Sequence, residues 1–274
     1  METLKLVLLA VVQGLTEFLP VSSSGHLVVA QSCLGVGAQA EGPTLELFLH
    51  AGTLLSVCVF YRRRIGELLA GLFRGRREAV RYALFVLVSM VPAGIFYAGL
   101  KDEIDRVYDM PHVVGALLIL NGAMLLVSGL AERGAKAAAG ESGATADGGL
   151  TFRRALAMGI GQAFAVLPGI SRSGTSIAAG RIFGLGPREA AEFSFLMSIP
   201  VIAGGAFLES LDAWKETGTL IEGIPLGSAI LAALVGAAVG YVALRLLVGM
   251  LVRGKFWVFG IYCFAVGLLA LLFA

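Results

Sequence analysis

The sequence predicts an all-α polytopic membrane protein, built as an inverted-topology repeat with six spanning helices and two re-entrant helical hairpins. Three observations predict it. Of 274 residues, 57% are hydrophobic and only 15% charged, with a mean hydropathy of +0.86; a soluble domain carries about 25% charged residues. Two long apolar stretches are each broken near their middle by proline, glycine and a hydroxyl cluster. A shift of 149 positions lays one broken stretch on the other. The same composition excludes a disordered chain and argues against a soluble globular enzyme. A net charge of +2 leaves no general basic field for nucleic acid. Cys33, Cys58 and Cys263 lie in apolar runs without metal-ligand spacing and read as reduced core or lipid-facing residues.

A spanning helix needs about 20 mostly apolar residues. In chain order, Leu4–Leu34 is interrupted at Leu19-Pro20-Val21-Ser22-Ser23-Ser24-Gly25-His26, so neither arm is long enough to cross. Broken backbone at membrane depth is tolerated where protein or a wet cavity satisfies its polar groups, which makes this a re-entrant hairpin. Its start, Met1–Lys5, is acidic as well as basic and no small-residue cleavage site follows, so it does not read as a signal peptide. Gly42–Tyr61 is apolar except for Glu46 and His50, Tyr82–Leu100 is uncharged, and Met110–Ala131 carries only His112. Ala135–Gly149 is polar, Ala/Gly-rich and without periodicity, the signature of a flexible linker. Ala155–Gly184 is the second broken hairpin, interrupted at Leu167-Pro168-Gly169-Ile170-Ser171-Arg172-Ser173-Gly174-Thr175-Ser176. Phe193–Leu208, Gly223–Leu244 and Phe256–Ala274 complete the spans. The expected units are a first repeat over residues 1–134, a cytoplasmic linker over 135–149 and a second repeat over 150–274.

Loop charges orient the chain. Arg62–Arg81 holds seven arginines, and further basic residues cluster in Glu132–Arg154, at Arg181 and Arg188, and at Arg245, Arg253 and Lys255. Between them lie acidic loops with Asp102, Glu103, Asp105 and Asp109, and with Glu209, Asp212, Glu216 and Glu222. The alternation is consistent if both ends of the first hairpin lie outside and both ends of the second inside. In the repeat, Gln13 meets Gln162, Ser22 meets Ser171, Ser24 meets Ser173 and Gly25 meets Gly174, whereas Ser23 meets Arg172 and His26 meets Thr175. One hairpin plus three spans per half forces opposite orientations, the arrangement of many transporters with a site near the midplane.

Glu17 and Arg172 are charges at a depth where each costs at least about 2.5 kcal/mol, so they are expected to face a cavity and one another. Gln13 shares a helix face with Glu17. His26 follows the serine cluster just past the tip and is a catalytic candidate. Ser22, Ser24, Gly25, Gly169, Ser171, Ser173, Gly174, Thr175 and Ser176 supply hydroxyls, close backbone approach and helix N-terminal N–H groups, all suited to an anion. Arg172 adds the planar fork that fits phosphate. Glu46 and His50 are one turn apart and either line the same cavity or pack structurally; Glu192 reads as structural.

Gln13-x-x-x-Glu17-Phe-Leu-Pro-Val-Ser-Ser-Ser-Gly-His26 resembles the first signature of bacterial undecaprenyl-diphosphate phosphatases of the bacitracin-resistance type, and Pro168-Gly-Ile-Ser-Arg-Ser-Gly-Thr-Ser176 resembles the second. The resemblance runs from end to end. It implies removal of the terminal phosphate of a C55 prenyl diphosphate, which recycles the lipid carrier of peptidoglycan synthesis. It further implies a divalent cation, Mg²⁺ or Ca²⁺, a multi-pass position in the bacterial cytoplasmic membrane, and a site facing the outer side. The family's acidic residue, arginine, histidine and serine fall on Glu17, Arg172, His26 and Ser23. Gln13 is the allowed variant of a Glu/Gln position, and Ser176 stands where the family usually has threonine. A metal would fall to Glu17 and Gln13. The implied partners are the prenyl diphosphate and membrane lipids, with a homodimer left open. The residues allow Ser23, His26 or a water as nucleophile. A transporter or flippase for an anionic lipid or solute is the alternative, because inverted repeats with a midplane arginine suit that class equally.

Overall fold

The computed structural model describes residues 3–33, 42–108, 110–139, 149–217 and 225–273. These residues form eleven α-helices and no strand. In order they are α1 (Thr3–Phe18), α2 (Ser23–Cys33), α3 (Gly42–Phe60), α4 (Arg62–Phe73), α5 (Arg77–Tyr108), α6 (Pro111–Ala139), α7 (Phe152–Phe164), α8 (Arg172–Ile182), α9 (Pro187–Thr217), α10 (Leu226–Val252) and α11 (Val258–Phe273).

Four helices, α5, α6, α9 and α10, are long and apolar enough to cross a membrane. Each of the other two expected spans is a helix, α3 or α11, with a shorter apolar run, Leu47–Phe60 or Val258–Leu272. The broken stretches fold as pairs of short helices, α1 with α2 and α7 with α8, packed against each other. Their lengths are 16, 11, 13 and 11 residues. At 1.5 Å per residue these arms run about 16–24 Å, short of a hydrocarbon core of about 30 Å.

Three boundaries differ from the sequence expectation. The arginine-rich segment is no loop: Arg62–Phe73 forms α4, which ends where Gly75 takes φ +64°. Helix α5 starts at Arg77 and runs through the acidic residues Asp102 and Glu103 to Tyr108. Helix α6 continues through Ala139, five residues into the expected linker; residues 140–148 lie outside the described set. The reason is common to α5 and α6. Hydropathy marks where a helix leaves hydrocarbon, but its hydrogen bonding continues into the interface.

The packing pairs elements of the two halves reciprocally. Helix α1 packs on α10 while α7 packs on α5, α6 packs on α11, and α3 packs on α9. Without a hydrophobic drive between helices in lipid, close approach needs small residues. The α6–α11 seam shows it: a methyl on Gly122 would stand 2.8 Å from the Gly260 carbonyl oxygen, and one on Gly260 would stand 2.7 Å from that of Gly122. Gly115 and Gly267 repeat this two turns away. Aromatic packing closes the centre, where Phe18, just beyond Glu17, meets Phe195 edge-to-face at 5.7 Å.

Candidate active site

Both hairpin tips are built by the same local chemistry. Helix α8 is capped by Ser171, whose Oγ accepts from Gly174 N at 3.1 Å and whose carbonyl accepts from Thr175 N at 2.9 Å. At the first tip, Ser22 Oγ meets Gly25 N at 3.5 Å and its carbonyl accepts from His26 N at 3.3 Å. The paired hydroxyls Ser22–Ser24 and Ser171–Ser173 lie 3.3 and 3.1 Å apart. Serine favours such sites because its side chain offers the backbone an alternative partner. Ser22 sits at φ +68°, a strained region for a residue with a Cβ, and Gly169 at +102°.

The tips interlock. Ser22 Oγ accepts from Gly169 N at 3.0 Å, and Ser173 Oγ donates to the Leu19 carbonyl at 3.4 Å. Asn121, fully buried on α6, bridges them: its Nδ2 donates to the Pro20 carbonyl at 3.0 Å, and its Oδ1 accepts from Ser171 N at 3.1 Å.

That interlock brings Gln13, Glu17, Ser23 and Arg172 together. Arg172 Nη2 donates to Glu17 Oε1 at 2.6 Å, and their side chains are 14% and 7% exposed. Ser23 Oγ donates to Glu17 Oε2 at 2.7 Å, and Gln13 Nε2 donates to the same oxygen at 3.1 Å. Two atoms are left over: Arg172 Nη1 and Gln13 Oε1 are buried without a partner. Buried polar atoms are normally satisfied, so this guanidinium nitrogen and this carbonyl oxygen each stay open to a further partner. In this ring a carboxylate holds a serine hydroxyl, and one arginine N–H nitrogen has no partner.

The other expected residues divide. Ser176 Oγ donates to the Arg172 carbonyl and meets Ser194 on α9, both at 2.7 Å, and Thr175 Oγ1 donates to the Ser171 carbonyl at 3.0 Å. Their hydroxyls serve helix backbone and the α8–α9 contact. Ser22, Ser171 and Ser173 are likewise spent on tip structure. His26 is near the tip with partners outside the ring: Nδ1 lies 2.8 Å from the Ser22 carbonyl oxygen, and Nε2 lies 2.9 Å from the Tyr262 hydroxyl on α11. Glu192 pairs with Arg64 at 2.8 Å, away from the ring. His50 is half-buried on α3, and the side chain of Glu46 lies outside the described residues. A charged cavity of about 200 Å³ lined by Arg64, Arg81, Tyr82, Glu189 and Glu192 is built around that ion pair and is separate from the tips.

Sequence reading missed Asn121 and Tyr262. Asn121 carried a usable signal, a carboxamide alone in an apolar span. Tyr262, one aromatic in an uncharged apolar run, carried none.

The fold defines a membrane protein of long apolar helices, with a buried carboxylate–serine–arginine cluster where its two pairs of short helices meet. The chain belongs to the bacitracin resistance protein BacA family, whose model matches residues 6–269. It is similar to the undecaprenyl-diphosphatases of Salinibacter ruber, at 36% identity over 96% of both chains, and of Desulfosudis oleivorans, at 37% over 97% of both. The undecaprenyl-diphosphatase of Rubrobacter xylanophilus is 38% identical over 98% of this chain and 97% of its own.

Proposed function

We propose that this chain is a phosphatase of undecaprenyl diphosphate, releasing phosphate and undecaprenyl phosphate and so recycling the carrier lipid of peptidoglycan synthesis. The observation that carries this reading is the free Arg172 Nη1 beside the Glu17–Ser23 hydrogen bond. The ring holds a nucleophile, its base and an anion clamp within one hydrogen-bond shell. Family membership and the named relatives support the substrate.

Arg172 and the tip N–H groups hold the outer phosphate and neutralise charge, so positioning and electrostatics dominate. Ser23 Oγ attacks the outer phosphorus as Glu17 takes its proton. The bond from phosphorus to the bridging oxygen breaks, and undecaprenyl phosphate leaves. Water then displaces Ser23 from phosphorus, a proton returns to the serine oxygen through Glu17, and phosphate departs. The prenyl tail stays in lipid between helices.

A divalent cation fits the residues present. Glu17 is the one carboxylate of the ring, and the described residues hold no group of three or more His, Cys, Asp or Glu side chains able to bind a metal. Mg²⁺ is commonly held by one or two carboxylates together with substrate phosphates. Glu17 and the free Gln13 Oε1 would hold it with the diphosphate, where it would neutralise charge on the phosphates.

The positive-inside rule supports a reading with the arginine-rich α4 on the cytoplasmic side of the bacterial cell membrane and the site open to the outer side. Phosphate release from undecaprenyl diphosphate by the purified protein in nanodiscs tests the activity. Release at a rate that vanishes in Arg172→Ala is expected; a protein that binds the lipid and releases no phosphate is a carrier instead.

A further inference from the structure

The ring leaves one functional candidate unexplained. His26 is bonded to neither Ser23 nor Glu17, and its two nitrogens are both engaged. Nδ1 lies 2.8 Å from the Ser22 carbonyl oxygen. A carbonyl can only accept, so Nδ1 carries the hydrogen. In the neutral ring Nε2 is then the lone-pair nitrogen, and at 2.9 Å it accepts from the Tyr262 hydroxyl. The two rings also stack, with centroids 5.6 Å apart and planes 8° from parallel. The pair is the sequel to the α6–α11 seam. The next residue, Cys263, is buried within 3.3 Å of Asn121 Nδ2, so Tyr262 is delivered to His26 by the same helix turn that abuts the bridge between the tips.

We propose that Tyr262 is a positioning residue for the phosphatase site: its hydroxyl and ring hold His26 in one tautomer and one orientation at the rim of the ring. This rests on the reading of the tips as a phosphatase site and adds a contribution of His26 to it. The second half of the molecule then supplies two things to a nucleophile carried by the first, the Arg172 clamp and the Tyr262 support. His26 would exchange a proton at Nε2, the nitrogen that the Tyr262 hydroxyl engages, so Tyr262 fixes that nitrogen and the ring plane together. Removing such an outer partner from a metal-bound histidine costs about 10- to 100-fold in affinity or activity. A loss in the same range is expected here, in kcat and not in KM, because Tyr262 does not reach the ring that grips the phosphate.

The test uses the full chain in nanodiscs with undecaprenyl diphosphate and four proteins: wild type, Tyr262→Phe, His26→Ala and the double variant. Phenylalanine keeps the stack and removes only the hydroxyl. The expected result is a kcat about 10-fold lower or more in Tyr262→Phe, with KM and melting temperature unchanged. The double variant should be no slower than His26→Ala, since residues acting as one unit are not additive. The ¹⁵N spectrum should agree, with the Nε2 resonance of neutral His26 moving downfield in Tyr262→Phe as it loses its donor. A Tyr262→Phe enzyme with wild-type kcat, beside an inactive His26→Ala, overturns the positioning role and leaves the site reading standing. Additive losses in the double variant overturn it too, because Tyr262 then acts apart from His26. Wild-type turnover in His26→Ala removes His26 from the phosphatase site, and the role of Tyr262 falls with it.

Discussion

The two hairpin tips share a scaffold and differ in chemistry. Ser22 and Ser171 both offer Oγ to the amide three residues on and a carbonyl to the residue four on, and each has a second serine hydroxyl two residues away. Around this scaffold the reacting groups are one-sided. The first tip carries Glu17 and Ser23; at the matching positions the second has Val166 and Arg172. Where the first has His26, whose Nδ1 meets the Ser22 carbonyl, the second has Thr175, whose Oγ1 donates to the Ser171 carbonyl. The comparison teaches how an inverted repeat becomes asymmetric. Positions that satisfy broken backbone stay alike because both tips face the same cost of unpaired polar groups in hydrocarbon. Positions that meet in the shared ring are free to diverge, one half carrying the carboxylate and hydroxyl of Glu17 and Ser23, the other the guanidinium of Arg172.

The largest effects should come from the divergent positions. Ser23→Ala removes the attacking oxygen, and turnover should fall roughly 10⁴-fold or more with little change in melting temperature. Phosphate release and a thermal melt in detergent decide it; near-normal turnover would pass the attack to water or His26. Glu17→Gln keeps shape and the contact to Ser23 but loses the base, and a loss of roughly 10²- to 10⁴-fold is expected in kcat. Part of that loss comes from Arg172, left buried without its carboxylate. Arg172→Lys should lose roughly 10²-fold or more, because an ammonium cannot hold Glu17 and offer a second, coplanar N–H to the phosphate. A lysine variant near wild-type rate would mean that charge alone is needed and that the free Nη1 has no ligand.

Much of this asymmetry was legible in the sequence, for a physical reason. Charges and hydroxyls in an apolar stretch stand out against their neighbours, so Glu17, Arg172 and both serine clusters announced themselves, and the repeat aligned them. The one mismatch that mattered, Ser23 against Arg172, was visible as a mismatch. What stayed hidden depends on contacts distant in sequence. Asn121 meets Pro20 across 101 positions, and Tyr262 meets His26 across 236. No local pattern encodes either pairing. The sequence could not show where the hydroxyls of Thr175 and Ser176 turn: a hydroxyl in a helix can bond the carbonyl one turn earlier, and both do. Helix α4 was hidden because its arginines and exposed Leu69, Leu72 and Phe73 give no spanning signal, only that of a helix lying at an interface.

Asn121 sharpens the comparison at the next level of effect. It reaches both tips from α6, so Asn121→Ala frees the Ser171 amide and leaves the Pro20 carbonyl with the Cys263 thiol at 3.6 Å. A newly unpaired buried group costs about 1–3 kcal/mol. Asn121→Ala should therefore lower the melting temperature and turnover in parallel, while Ser23→Ala lowers turnover alone. Loss of activity without loss of stability in Asn121→Ala would make it a participant in the chemistry.

The smallest effects should fall on the shared caps, and here the two tips should differ. Losing a serine cap costs about 1 kcal/mol. In Ser171→Ala that is nearly the whole effect, since Asn121 bonds the backbone amide of Ser171 and survives the change. In Ser22→Ala the same cap is lost and Gly169 N loses its acceptor as well, with no other partner at hand at the buried interlock of the tips. The further cost is again about 1–3 kcal/mol. Ser22→Ala should thus melt lower than Ser171→Ala, and both should keep a larger share of turnover than Ser23→Ala. Ser22→Gly separates the two contributions at the first tip. It loses the same hydroxyl but relieves the strain of a Cβ at φ +68°, so it should melt higher than Ser22→Ala. Equal melting temperatures for Ser22→Ala and Ser171→Ala would mean that the Ser22–Gly169 bond adds nothing, and that the tips are held together by Asn121 and the Glu17–Arg172 pair.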